Sequence, residues 1–243
     1  MHNQQKLFDD SPFTIFQKES IQLENHLSQK AANKARNRKF SFQHIDKTYS
    51  LPKTGIYDFP IVKPYRGLIP TDFTPYDHHK TGNTLGAVHF FIDDYNYPCM
   101  HIWSNLQNYT HNVSRYNVII APDNSMYLDQ SAALNIYQVY QNRVITAYWQ
   151  KIGLNVIPVV SWGNADSFNY CFDALPQNSI LAIGGLGTKC SKALTTLWEY
   201  GVKLTIEKLQ PQALILYGSP TKYDLQIETH YIEDYIHAKF PKH

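Results

Sequence analysis

The chain has 243 residues, 43% hydrophobic and 17% charged, with a formal net charge of +2, a balance that excludes a disordered polymer and predicts a globular core. So small a net charge excludes a global field that would draw the protein to nucleic acid, and no apolar run approaches the ~20 residues that span a bilayer. Three cysteines, Cys99, Cys171 and Cys190, have neither zinc-ligand nor disulfide-framework spacing, and the N-terminus has no basic start or apolar h-region, so a cytoplasmic protein with inert thiols is expected.

Residues 1–45 read as a polar, partly basic extension, with a weak amphipathic helix marked by Phe16, Ile21, Leu23 and Leu27. It ends in a cationic run, Lys30, Lys34, Arg36, Arg38 and Lys39, with no acid among them. Such a run is either a solvated face or a local contact for phosphates. A single α/β domain is expected over residues 46–243. Its lead-in, 46–86, is punctuated by prolines and glycines and reads as loop-rich. His78 and His79 lie there, but neighbours on extended backbone point opposite ways, which makes a shared metal ion hard to hold.

From residue 87 short β-branched runs recur: 87–92, 117–121, 155–161, 179–183 and 213–217. Each reads as a strand buried on both faces. Their spacing leaves room for a crossover helix between strands, which predicts a largely parallel sheet of about five or more strands, as an open sheet or an incomplete TIM-like barrel. A long helix is expected from Asp129 to Lys151, with Ala133, Ile136, Tyr137, Tyr140, Val144, Ala147 and Tyr148 on its core face and Gly153 at its end. Ser191 is expected to cap a helix that stops at Gly201, followed by a second short helix that stops at Pro211.

In either architecture ligands bind at the carboxyl ends of the strands. That rule selects Asp93 and Asp94 after the first run, Asp123, Ser125 and Tyr127 after the second, Ser161, Trp162 and Asp166 after the third, Gly185 and Gly187 after the fourth and Tyr217 at the end of the fifth. Asp123 caps a helix, lines a site, or does both. Asp94, Asp123 and Asp166 are the candidate catalytic carboxylates, suited to acid/base work or to a divalent cation such as magnesium held with Ser125. "GGLGTK" resembles a phosphate cradle, although a tight strand-to-helix turn needs the same glycines. Trp162 offers a face for a base or a sugar, Asp166 a cap for the turn at Ser167, and Phe168 and Phe172 packing. Arg143 on the long helix is either solvated or an anion contact.

The segments "VHFFIDDY", "APDNSMY", "YQNRVITAYWQKIGLNVIPVVSWGNADSFNYCFDALP" and "LYG" together resemble the bacterial and phage proteins grouped as domain of unknown function 4417, over roughly residues 55–220. The matching positions are Asp94, Pro122, Asp123, Ser125, Tyr127, Arg143, Ser161, Trp162, Asp166, Ser167 and Phe168. The resemblance implies a phage, plasmid or integrated-element setting and a single site formed by the matched polar residues. Asn124 and the double glycine depart from the family pattern.

Three functions follow as expectations. The first is an enzyme or ligand-binding protein for a phosphate- or sugar-bearing substrate, nucleic acid included, at the strand ends, with hydrolysis among its reactions. The second is a nucleic-acid-binding accessory protein that uses the basic run. The third is a non-catalytic inhibitor of a host protein.

Overall fold

The structure, a computed structural model, describes residues 44–92, 99–218 and 221–233. The chain divides into two units, 1–50 and 51–243. In the first, the described residues form one helical turn, α1 (Ile45–Thr48). The proposed N-terminal helix and the cationic run Lys30 to Lys39 lie outside the described residues, as do Asp93 and Asp94.

The second unit opens with an antiparallel hairpin, β1 (Lys53–Thr54) and β2 (Phe59–Pro60). Then follow β3 (Phe73–Pro75), β4 (Ala87–His89), α2 (Cys99–Ser104), α3 (Leu106–Val113), β5 (Val118–Ile120), α4 (Ala132–Lys151), β6 (Val156–Ile157), β7 (Ile180–Gly184), α5 (Lys192–Leu209), β8 (Ala213–Tyr217) and β9 (Glu228–Ile232). All five apolar runs become strands, because β-branched side chains fit a pleated surface buried on both faces.

The strands form two parallel sheets in chain order, β3-β4-β5-β6 and β7-β8-β9. A parallel bridge between Val159 and Ala182 links them, with Val160 N–H donating to Ala182 O and Ala182 N–H to Pro158 O, both at 2.9 Å. The sheets curl towards each other without closing a barrel. His89 and Phe91 on the first meet Tyr217 on the second, at ring-centroid distances of 5.2 and 5.1 Å. One core fills the space between them, with Ile119, Ile157, Ala182 and Ile215 in it. A second lies under α5, where Trp198 and Val202 pack on Leu181 and Leu214.

Three expectations about the helices are corrected. Helix α4 starts at Ala132 rather than Asp129, because Ser131 is its cap and accepts from Leu134 N. Its buried side is wider than anticipated: of the expected face Val144 and Ala147 are buried, Ile136, Tyr140 and Tyr148 pack on the cores and only Ala133 and Tyr137 face solvent, while Asn135, Gln141, Asn142 and Arg143 are buried as well. Those polar side chains tolerate burial because most of their polar atoms bond to loops that fold over the helix. Its end matches the reading, with Gly153 just beyond it at φ +91, a left-handed conformation that costs a glycine little.

The two short helices expected around Gly201 are one continuous helix, α5. A glycine inside a helix costs ~1 kcal/mol relative to alanine, but here a methyl would collide with the Trp162 ring. The residue is small because the indole sits on the helix. β3 and β9 flank the sheets unannounced, one only three residues long and the other carrying Glu, Thr and His.

Candidate functional site

A cavity of about 540 Å³ opens at the carboxyl ends of β5, β6 and β7, within the size range of small-molecule sites. Asp123, Asn124 and Ser125 form one wall, Ser161 and Trp162 another, and the turn from Gly184 to Thr188 a third. The residues α5 adds are apolar, Leu194, Leu197 and Trp198.

Asp123 is held there by packing from two directions. The peptide before it is fixed by Asn142 on α4, whose Nδ2 donates to Pro122 O at 2.6 Å. Its carboxylate lies against Gly184, where an added methyl would collide with Oδ2 and press on Phe91. Since Ser131 caps α4, the capping role considered for Asp123 is taken by another residue. Asp123 is a wall of the cavity.

The loop after β6 is stiffened by its own hydrogen bonds. Ser167 Oγ donates to Asn164 O at 2.6 Å and accepts from Gly163 N at 3.0 Å. This holds Trp162 against α5 at Gly201 and, on its other neighbours, 6.0 Å from the Phe168 ring. Trp198 Nε1 donates to Gly184 O at 2.7 Å and fixes the last residue of β7. Gly187 takes φ 73 to start a three-residue 3-10 turn, Thr188–Cys190, and α5 begins only afterwards with Ser191 as its own cap. The glycine turn therefore leads into a 3-10 turn rather than directly onto the long helix.

Six of the residues selected by the strand-end rule line this one cavity: Asp123, Ser125, Tyr127, Ser161, Trp162 and Gly187. Others do not. Asp166 is exposed on the turn Ala165–Asn169, and that turn is capped by Asn164, which accepts from Ser167 N at 3.2 Å. Gly185 is buried and accepts from Thr188 Oγ1. Tyr217 lies under the cavity, stacked on Phe91.

Arg143 is neither solvated nor an anion contact. It is 2% exposed, and donates to Asp173 O at 2.9 Å, to Cys171 O at 2.6 Å and to Asn142 Oδ1. Burial draws its guanidinium down to about 10, with Cys171 and Asp173 partly opposing, so it stays cationic at neutral pH. It is a clamp for the loop after β6. Burial also pushes the Cys171 thiol up to about 12, in keeping with an inert side chain.

Two features of this end carried no motif. His89, the last residue of β4, is 2% exposed, and burial lowers its imidazole to about 3. Its Nδ1 accepts from Phe91 N–H at 3.3 Å, so the ring is neutral with its proton on Nε2. The other is a set of buried amides. Asn124 Nδ2 donates to Gln138 and Gln141 at 3.2 and 3.4 Å, while its Oδ1 has no hydrogen-bond partner among the described residues. Asn135 Nδ2 donates to Tyr127 O at 3.3 Å, and its Oδ1 is likewise without one.

No group of three or more His, Cys, Asp or Glu side chains suited to a metal ion occurs among the described residues. In the lead-in, His79 stacks on Tyr76 and its Nδ1 pairs with Tyr76 O at 2.6 Å. No helix among the described residues is long and apolar enough to cross a membrane.

The model of the family described as Domain of unknown function (DUF4417) matches residues 45–235. The Gene 1 protein of Mycobacterium phage L5 is 32% identical over 189 residues, which cover 74% of this chain and 78% of the phage protein. The Gene 1 protein of Mycobacterium phage D29 is 29% identical over 181 residues, 73% of this chain and 66% of its own length. No solved structure matches the chain.

Proposed function

The chain belongs to the DUF4417 family, and from the geometry of its carboxyl-end cavity we propose that it binds and acts on a small ring-bearing ligand of the sugar or nucleoside kind. The observation that carries this reading is Asp123, seated against Gly184 in a cavity of about 540 Å³ while Ser131 caps the helix that follows. A carboxylate in such a place accepts a hydrogen bond from a ligand hydroxyl or N–H and, as a general base, can take its proton. Trp162 supplies the apolar ring face that sugars and bases stack on.

Phosphate is disfavoured as the group next to Asp123. Among the described residues the formally charged lining groups are Asp123 and Asp129, and two like charges ~4 Å apart near a protein surface repel by ~4 kcal/mol. A phosphorylated ligand fits this reading with its phosphate directed outwards. Magnesium and nucleic acid remain proposals that rest on the acids at the strand ends and on the run from Lys30 to Lys39.

The test is isothermal titration of the full chain with a panel of nucleosides and neutral sugars, beside the Asp123→Asn variant. Binding that is lost in Asp123→Asn, with the thermal unfolding midpoint unchanged, supports the reading. Equal binding by the variant would remove Asp123 from the site.

A further inference from the structure

We infer that the ring in the cavity is one unit of a single-stranded nucleic acid, whose neighbouring nucleotide lies in a groove along the outer side of α5. The inference rests on the small-ligand reading above and names the chain that presents the ring. It does not depend on the run from Lys30 to Lys39.

The groove, of about 720 Å³, is lined by Lys192, Ala193, Thr196, Leu197 and Tyr200. Leu197 also lines the cavity that Asp123 walls, so the two are neighbours that share a side chain. The helical period explains this. Leu194, Leu197 and Gly201 follow at three- and four-residue steps and turn towards the cavity and the Trp162 ring, while Ala193, Thr196 and Tyr200 form the next row round the helix.

Aromatic rings connect the two places. The Phe168 ring is 6.0 Å from that of Trp162 and 5.5 Å from that of Tyr200. Phe168 is buried, but Tyr200 meets it edge-on and stays 54% exposed. One turn further along α5, Lys203 holds its Nζ 4.3 Å from the centre of a second open ring, Tyr223, which is 52% exposed.

The charges decide which kind of chain fits. Lys192 lines the groove and Lys203 follows Tyr200 by one turn, both exposed. Glu199 and Glu207 belong to the same helix but do not line the groove. A neutral oligosaccharide needs rings to stack on and has no use for the cations. A nucleic-acid strand needs flat faces for its bases and cations for the phosphates between them, and the order Lys192, Tyr200, Lys203, Tyr223 alternates the two. The arrangement also keeps phosphate away from Asp123, with the ring inside the cavity and its phosphate outside along α5. A duplex does not fit, because its bases are stacked inside and offer no free face.

The experiment measures fluorescence anisotropy of labelled short DNA and RNA strands of mixed sequence, and of the same DNA as a duplex, with the full chain at low and physiological salt. Unlabelled nucleosides and cellobiose are titrated by calorimetry beside them. The expected result is that a single strand binds more tightly than any nucleoside and than the duplex. Tyr200→Ala should weaken it about tenfold, while Tyr200→Phe, which keeps the ring, should not. Lys192→Ala and Lys203→Ala should each make the salt dependence shallower by about one. Circular dichroism checks that each variant is folded, and Tyr200→Phe with the two lysine variants carries the test if Tyr200→Ala is not. Duplex binding as tight as single-strand binding, or strand binding indifferent to Tyr200 and to both lysines, overturns the inference. Asp123-dependent binding of nucleosides or cellobiose with no gain from a strand overturns it too, and leaves the small-ligand reading standing. If nothing binds, both fail.

Discussion

The two ends of the parallel sheets both carry cavities, and the larger is at the amino ends. About 910 Å³ opens there between the loops at Arg66, Asp72, Asn83, Leu85, Asn117 and Asn155, against about 540 Å³ at the carboxyl ends. The difference lies in what the polar groups are doing. At the amino end Asn117 Nδ2 donates to Leu85 O and Asn155 Nδ2 to Asn117 O, both at 3.1 Å. Asn83 reaches Asp72 at 2.8 Å and Arg66 Nε reaches Asn178 O at 3.2 Å. These side chains stitch loops together. At the carboxyl end two buried amide oxygens, those of Asn124 and Asn135, lack hydrogen-bond partners among the described residues. Volume alone does not mark a site; hydrogen-bonding capacity held in reserve beside a carboxylate does.

The contrast breaks first at Arg143, a buried polar group at the carboxyl end whose donors are engaged. Arg143→Ala leaves Asp173 O, Cys171 O and Asn142 Oδ1 short of a donor and opens a cavity in the core. The expected loss is ~3–5 kcal/mol in urea unfolding. A loss below ~1 kcal/mol would mean that engaged and unengaged polar groups cannot be told apart by stability.

His89 gives a pH test of the same end. Its imidazole falls from 6.5 unfolded to about 3 folded, so between those values the unfolded chain binds the extra proton. Stability is full above pH ~6.5 and declines as pH falls towards ~3, at up to ~1.4 kcal/mol per pH unit. In His89→Gln that part of the slope should vanish, since the amide does not titrate. A slope unchanged by the substitution would place the sensitivity in the carboxylates.

Much of this end was legible in the sequence because β-branched runs and their spacing obey a physical rule: parallel strands buried on both faces have few other residue choices. Asp123, Ser125, Ser161 and Trp162 followed from chain position alone. What was hidden depends on long-range packing. Gly201 looks like a helix stop until the Trp162 ring is placed on it, and Asp123 looks like a cap until Ser131 is seen in that role. Arg143 looks like a wet residue, since the loop that covers it is over 25 residues away in the chain, and the amides of α4 are covered by the segment after β5, 8 to 20 residues before them. His89 carries no motif, and only the curl that brings β4 to β8 buries it.

Gly201 sharpens the comparison by moving the wall without touching a polar group. Gly201→Ala places a methyl into the Trp162 ring, and overpacking of this kind costs ~1–3 kcal/mol. The indole must shift, so ligand affinity at the carboxyl end should fall together with the thermal midpoint. A variant that loses stability and keeps its affinity would show that the far side of Trp162, rather than its position, is all the ligand needs.

The smallest effect belongs to the amino end. Asn117 is exposed and makes one side-chain hydrogen bond, to Leu85 O, while its own carbonyl accepts from Asn155 whatever its side chain. Asn117→Ala should therefore cost ~0.5–1.5 kcal/mol, the net worth of a single bond already shared with water. Nucleoside affinity should not change, because Asn117 and the carboxyl-end cavity lie at opposite ends of β5. If the substitution weakens binding at the far end, the two ends are coupled through the strand. If it strengthens or weakens binding of a ligand at the amino end itself, that larger cavity has a function of its own and the stitching reading of its amides falls.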